Sequence, residues 1–297
     1  MKKQTEAAKR KLPKIPASPP AKVAIRKIPS GVRGFDEILG GGVPEFSFNI
    51  VAGPPGCGKT TLVHQIVFAN ATVKKPALYF TVLGEPAMKM LRYQQQFAFF
   101  DATKLGKAIR FINLADVVME KDLDAVYQEI VKQVSAVGPS LVVVDSFRTV
   151  VRKAMSGTSE LMMQSFIQRL AQFLTSWEAT TFLVGEYASE EVKDNPVFTI
   201  ADGLFWLSQV PERNSVVRKL QIMKLRGQES VPGLHTIRIS ADGIQAFSRT
   251  LGLAGKREKP LKPRRISIGI PELDTMMGGG LYEGDSCLVA GPSGTGK

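Results

Sequence analysis

The sequence predicts an α/β fold: a mostly parallel sheet flanked by helices, with antiparallel strands added at one edge. Three observations predict it. An apolar strand, a glycine-rich turn and a helix follow one another without interruption from Phe48 to Asn70. Apolar runs with strand character then alternate with helical periods as far as Glu186, and such alternation calls for right-handed crossovers between parallel strands. Beyond Leu204 the strands come with no helix between them, the pattern of antiparallel hairpins.

Taken in order, residues 1–27 carry nine Lys or Arg against the single acid Glu6, interrupted by Pro13, Pro16, Pro19 and Pro20. So little apolar content cannot offset ordering entropy, and the segment reads as a disordered basic tail. It holds most of the net charge of +12, so any nucleic-acid binding is expected only through this tail. Residues 28–42 form a short helical turn closed by Gly40-Gly41-Gly42. Phe48 to Ala52 is a buried strand, and Thr60 to Asn70 a helix with Leu62, Val63, Ile66, Val67 and Phe68 at apolar positions. Ala77–Leu83 is a strand and Pro86–Phe100 a helix; Ile109–Leu114 is a strand and Asp122–Val137 a helix stopped by Gly138-Pro139. Leu141–Ser146 is a strand ending in an acid, Leu161–Trp177 an amphipathic helix, and Thr180–Glu186 a strand. Leu204–Leu207, Val216–Leu225, His235–Ser240 and Ile244–Phe247 complete the edge. The two histidines have no metal-ligand spacing; His64 reads as helix surface and His235 as strand surface.

From 252 to 265 the chain turns basic and proline-containing, a linker after a main domain at 28–251. Beyond it the opening is repeated. Asp274 matches Asp36, Gly278-Gly279-Gly280 matches Gly40-Gly41-Gly42, and Lys297 matches Lys59, all at an offset of 238. This second copy, 266–297, lacks the hydroxyl residue and helix that follow Lys59. It is expected to be the truncated start of a second domain, unable to bind nucleotide by the mechanism of the first.

A hydrophobic content of 44% is enough for a full core. No apolar run of about eighteen residues suggests a membrane span, and the Lys- and Pro-rich start has no apolar stretch of a secretory signal. Cys57 and Cys287 make no disulfide framework, so a cytoplasmic location is expected.

The chemistry concentrates in Gly53-Pro54-Pro55-Gly56-Cys57-Gly58-Lys59-Thr60, which fits the phosphate-binding pattern G-x-x-x-x-G-K-[ST]. Backbone N–H donors must converge on phosphate oxygens, and Gly53, Gly56 and Gly58 allow that approach. Lys59 supplies a charge to the β/γ phosphates, and the Thr60 hydroxyl a ligand for Mg²⁺. With Cys57 and Thr61 these residues form the expected triphosphate site. A helix opening at this loop also aims its positive dipole end at the phosphates.

The run Gly-Phe-Asp-Glu-Ile-Leu-Gly-Gly-Gly (34–42), Leu-Val-Val-Val-Asp-Ser (141–146), Lys-Leu-Arg-Gly (224–227) and the duplication together resemble the KaiC-type ATPases of the RecA superfamily. The resemblance implies a RecA-like P-loop core, ATP with Mg²⁺ as ligand, and a homo-oligomeric ring, commonly a hexamer, with ATP between subunits. It implies partners in signalling or regulation. Asp145 takes the role that holds Mg²⁺ from the strand end, or else is a helix N-cap. Lys224 and Arg226 look like the pair sent to a neighbour's γ-phosphate, and strand alternation puts both on one face; the bland reading is a basic strand edge. KaiC-type domains often carry two adjacent glutamates before Thr-Pro, where this chain reads Thr81-Val82-Leu83-Gly84-Glu85-Pro86. Glu85 is the candidate to orient the attacking water, or a first-turn helix acid. The departure allows slow hydrolysis, or none. Glu186 is a sensor of the γ-phosphate or a capping acid. Gln228 to Pro232 lacks the His and Lys that the resemblance would place near the nucleotide, and protein-kinase activity is not expected of this truncated chain.

Two other functions compete. A DNA-dependent RecA-like ATPase would hold DNA with the loops after Asp145 and Glu186. The first has Arg148, Arg152 and Lys153 and suits phosphate, whereas the second has Glu186, Glu190, Glu191 and Asp194 against Lys193, and acid there repels the backbone. A non-hydrolysing scaffold that ATP merely closes follows from the irregular stretch around Glu85.

Overall fold

The computed structural model describes residues 24–82, 87–120, 122–150, 160–192, 195–212, 214–248 and 264–296. Contacts divide the chain into two units, Met1–Arg249 and Thr250–Lys297.

The first unit opens with β1 (Lys27–Ile28), α1 (Phe35–Ile38) and β2 (Val43–Pro44), then β3 (Phe48–Gly53) and α2 (Lys59–Asn70). There follow β4 (Ala77–Thr81), α3 (Ala87–Gln94), β5 (Ile109–Asn113), α4 (Ala115–Glu120), α5 (Leu123–Val137), β6 (Leu141–Asp145), α6 (Glu160–Ser176) and β7 (Thr180–Glu186). The last run is α7 (Pro196–Ile200), β8 (Gly203–Glu212), β9 (Ser215–Leu225), β10 (Leu234–Ser240) and β11 (Gly243–Phe247). One nine-stranded sheet has the order β11-β10-β9-β8-β3-β7-β6-β4-β5. Strands β8, β3, β7, β6, β4 and β5 pair in parallel, and β9, β10 and β11 are added antiparallel. This is the mostly parallel sheet with an antiparallel edge that the sequence predicts.

Both sheet faces are covered, which is why β3, β4 and β6 read as continuous apolar runs and are buried at every residue. Alternation sorts the two cores. Ile50, Leu78, Phe80, Val142 and Val144 pack with Val126, Ile130 and Val134 of α5 and with Ile167, Leu170 and Leu174 of α6. Val51, Tyr79, Val143 and Val184 face the other way, against α1 and α2. Helix α5 starts where the Asp122 carboxylate accepts the Ala125 N–H and ends at Gly138, whose φ of 60° suits glycine.

Several elements differ from expectation. Helix α3 stops at Gln94 rather than Phe100, and α4, α7 and the β1–β2 pair were not legible as periods because each is six residues or shorter. Strand β8 runs on to Glu212 because its polar end pairs with Ser215–Lys219 of β9. His64 and His235 are not on the surface: both are fully buried. Helix α2 is buried nearly all round rather than on one stripe, since the α1 segment and β11 cover its outer side: the Gln65 amide donates to the Gly31 carbonyl (2.9 Å) and its oxygen accepts the Ile244 N–H (2.8 Å). His235 donates through Nε2 to the Val231 carbonyl, 2.9 Å away.

The second unit has β12 (Arg265–Ile266), α8 (Pro271–Met276) and β13 (Leu281–Tyr282), with β12 and β13 paired antiparallel. No helix among the described residues is long and apolar enough to cross a membrane.

Candidate functional site

Strand β3 ends in Gly53, at φ 143°, where a Cβ would come within 1.9 Å of the Leu207 carbonyl oxygen. The chain must therefore lack a side chain here to turn away from the sheet. Gly58, at φ 102°, precedes α2 as its N-cap and makes no side-chain cap bond, and the first helical turn contains no acid. The leading N–H groups of α2 are thus left facing the loop, an arrangement suited to an anion.

Lys59 is only 7% exposed and donates through Nζ to the Pro54 carbonyl at 2.7 Å, curling back over its own loop. The Cys57 thiol also donates to the Pro54 carbonyl, at 2.9 Å, and burial pushes its pKa up while the Lys59 charge pulls it down. The hairpin β8–β9 supports the loop from the other side, with Gln209 Nε2 donating to the Gly56 carbonyl at 2.7 Å and Arg218 Nε at 3.5 Å.

Asp145 at the end of β6 is where the elements meet. The Thr60 hydroxyl donates to its Oδ2 at 2.8 Å, and the Tyr79 hydroxyl donates to the same oxygen at 2.9 Å. Burial pushes the Asp145 carboxyl above the usual carboxylate range; the two hydroxyls and the Lys59 charge draw it back, and the charge of Glu186 adds to the rise. Glu186 ends β7 in register with Gly53 of β3, next to the loop. Lys59, Thr60, Thr61, Asp145 and Glu186 line one cavity of about 560 Å³. Glycines that admit no Cβ, an uncapped helix start and a buried lysine fit a polyphosphate. Among the described residues no three His, Cys, Asp or Glu side chains converge on a metal position. A divalent cation here would lean on Thr60, Asp145 and the oxygens of its own ligand.

A family model described as ATPase: KaiC matches residues 28–250. The chain belongs to the KaiC ATPase family. Among KaiC relatives, the circadian clock protein KaiC2 of Synechocystis is 25% identical over 93% of this chain and 49% of its own length. The circadian clock oscillator protein KaiC 1 of the same organism is 30% identical over 92% of this chain and 53% of its own. The chain thus spans about half the length of the curated KaiC proteins it matches. The crystal structure of the KaiC-like protein PH0186 from Pyrococcus horikoshii superposes with a TM-score of 0.65 at 24% identity, over 76% of this chain and all of the other. The fold is accordingly the RecA-type P-loop core of KaiC.

Of the residues the sequence singled out, Gly56, Gly58, Lys59, Thr60, Thr61 and Asp145 line that one cavity, and Gly53 and Cys57 lie in the loop that forms its wall. Glu85 lies outside the described residues. Strand β9 ends at Leu225, so Arg226 lies in the turn just beyond Lys224, and both side chains reach the 198–202 segment. Lys224 Nζ donates to the Thr199 carbonyl at 2.8 Å, and burial lowers its pKa, with Arg226 adding to the fall. Arg226 pairs with Asp202 at 3.2 Å. Neither lines the cavity around Lys59.

Arg148, one of the three cations that suit the loop after Asp145 to phosphate, is already engaged. Its guanidinium forks onto both oxygens of Glu191, at 2.6 and 2.7 Å, donates to the Glu186 carbonyl, and lies 5.1 Å from the centre of the Tyr187 ring. One acid of the second loop, Glu191, thus pairs with one base of the first, Arg148. Arg152, Lys153, Lys193 and Asp194 lie outside the described residues. Sequence reasoning missed Tyr79, Gln209 and Arg218. Only Tyr79 left a signal, a phenol inside an apolar strand whose hydroxyl needs a partner when buried.

Proposed function

We propose that this chain binds ATP with Mg²⁺ on the loop 53–61 and hydrolyses it slowly at subunit interfaces of a homo-oligomeric, hexameric ring in a signalling or regulatory role. The observation that carries the reading is the 2.8 Å bond from Thr60 to Asp145. It joins the start of α2 to the end of β6, the two places from which a P-loop protein holds a nucleotide's cation. Lys59 would leave the Pro54 carbonyl and meet the β/γ phosphates, Thr60 would ligate Mg²⁺, and Asp145 would hold the cation's water shell. Bound Mg²⁺ supplies charge neutralisation of the triphosphate. Glu85 would orient the attacking water. Lys224 and Arg226, tied to 199 and 202 in the single chain, would release these contacts to reach a neighbour's γ-phosphate.

Calorimetry with ATP·Mg²⁺, phosphate release, and light scattering with and without nucleotide test the reading together. Uptake lost in Lys59→Ala, and assembly on ATP addition, support it. Unchanged uptake in Lys59→Ala overturns the site, and a chain that stays monomeric removes the roles of Lys224 and Arg226. Glu85→Gln separates turnover from a non-hydrolysing scaffold: an unaltered, near-zero phosphate release in parent and variant favours the scaffold. The Arg148–Glu191 clamp weighs against the DNA-dependent alternative. Salt-sensitive DNA retention is expected only from protein that keeps residues 1–27.

A further inference from the structure

Asp145 has a problem that its position creates. It ends a buried strand, the residue is only 8% exposed, and rotation about the last bond of an Asp side chain is broad and roughly two-fold. A carboxylate that must present one oxygen to a cation's shell therefore needs its other oxygen held. Thr60 supplies one donor, but in the reading proposed above Thr60 also ligates the cation, so its orientation changes with occupancy. Tyr79 has no such second duty. Its hydroxyl donates to Asp145 Oδ2 at 2.9 Å, and Oδ1 accepts no hydrogen bond among the described residues.

The strand register explains the reach. In the parallel pair β4–β6, Thr81 lies opposite Asp145 and Tyr79 opposite Val143. Tyr79 is thus the diagonal neighbour of Asp145 on the same sheet face, a distance a phenol can span. The ring is itself fixed. It is fully buried, stacks on His64 at 4.6 Å between centroids and 21° between planes, and lies 5.0 Å from Phe111. His64 comes from α2 one turn after Thr60, so the phosphate-loop helix grips Asp145 directly through Thr60 and indirectly through His64 and Tyr79.

We infer that Tyr79 is a positioning residue for the cation site: its hydroxyl holds Asp145 Oδ2, braced by His64, so that Oδ1 meets the cation shell whether or not a nucleotide is bound. The inference rests on the nucleotide reading above, yet it assigns a role to a side chain that neither touches substrate nor belongs to the phosphate-loop motif.

The test is Tyr79→Phe, which removes the hydroxyl and keeps the ring. ATP uptake is measured by calorimetry in EDTA, and the cation by Mg²⁺ titration of the ATP-bound protein and by Mn²⁺ binding followed by electron paramagnetic resonance. Tyr79→Phe is expected to leave ATP affinity in EDTA within about twofold while raising the Mg²⁺ and Mn²⁺ midpoints roughly tenfold, the lower end of what losing a partner behind a metal ligand costs. His64→Leu, which loosens the brace but keeps the hydroxyl, is expected to raise the midpoints by less. A parent-like cation midpoint in Tyr79→Phe overturns the inference, even with a lowered melting temperature, because lost packing alone produces that. Should the parent take up no ATP in EDTA or in Mg²⁺, the nucleotide reading itself fails and the inference falls with it. Should ATP bind but the cation midpoint ignore Tyr79, only the inference falls.

Discussion

The chain contains the same opening twice, and the two copies reach different ends. Locally they agree at the offset of 238. Strand β1 corresponds to β12, and β2 to β13. The Ser30 N–H donates to Asp36 Oδ1 at 2.8 Å, and the Ile268 N–H to Asp274 Oδ1 at 3.0 Å. The Gly41 and Gly279 N–H groups each close a 2.7 Å bond to the carbonyl of that same aspartate. Even the loop keeps part of its turn: Gly294 and Gly296 have φ of 86° and 76°, and Thr295 donates to the Pro292 carbonyl at 2.8 Å as Cys57 does to Pro54 at 2.9 Å. The divergence is at the strand. Ile50 and Val51 of β3 are 1% and 0% exposed, whereas Leu288 and Val289 are 90% and 68% exposed and in no strand. Turns and caps form from neighbours in sequence, but a central parallel strand exists only between partners, here β7 and β8.

The comparison can be broken most strongly at the strand. Ile50→Ala is expected to destabilise the first unit by about 2–5 kcal/mol in chemical denaturation, the cost of a core cavity, and Leu288→Ala to change nothing measurable; a comparable loss at both would mean that Leu288 is buried in solution. Next comes the loop lysine. Lys59→Ala should weaken ATP·Mg²⁺ binding about a hundredfold, ~2.7 kcal/mol, while Lys297→Ala leaves calorimetric affinity and stoichiometry unchanged.

A further effect is a proton. His64 lies behind the loop of the first copy, and burial lowers its pKa to about 3. Its folded pKa lies below the unfolded one, so the unfolded chain binds more protons. The stabilisation is complete above the ordinary value of 6.5 and is lost as pH falls from there towards 3. At pH 5 the loss should be about 2 kcal/mol. A flatter acid limb in His64→Leu, read from denaturation midpoints between pH 7 and 5, checks it. The smallest effect is at the shared aspartate. Asp36→Asn should cost the first unit ~1 kcal/mol for a weakened bond to buried Ser30, and Asp274→Asn should only speed amide exchange at Ile268.

The phosphate loop was legible because its glycines, lysine and threonine are consecutive and a motif read along the chain needs no fold. Asp145 was legible from four apolar residues before it, although its partners were not. Lys224 and Arg226 were legible as a motif, but their ties to Thr199 and Asp202 were not, since those depend on the helix and strand packed beside the end of β9. His64 was misread because helical periodicity assumes one buried stripe, and α2 is covered on the far side by a segment near residue 31 and a strand near residue 244.

By itself the sequence determined the order of strands and helices, the turn chemistry, the phosphate loop and the internal repeat, since each rests on backbone preferences and side-chain spacing within a few residues. Only the tertiary structure decided which charges stay available and what holds Asp145. Arg148 is neutralised by Glu191, 43 residues on, and Asp145 is gripped by Thr60 and Tyr79, 85 and 66 residues back. Such pairs depend on which strands lie side by side, and strand neighbours are chosen by the packing of the whole sheet.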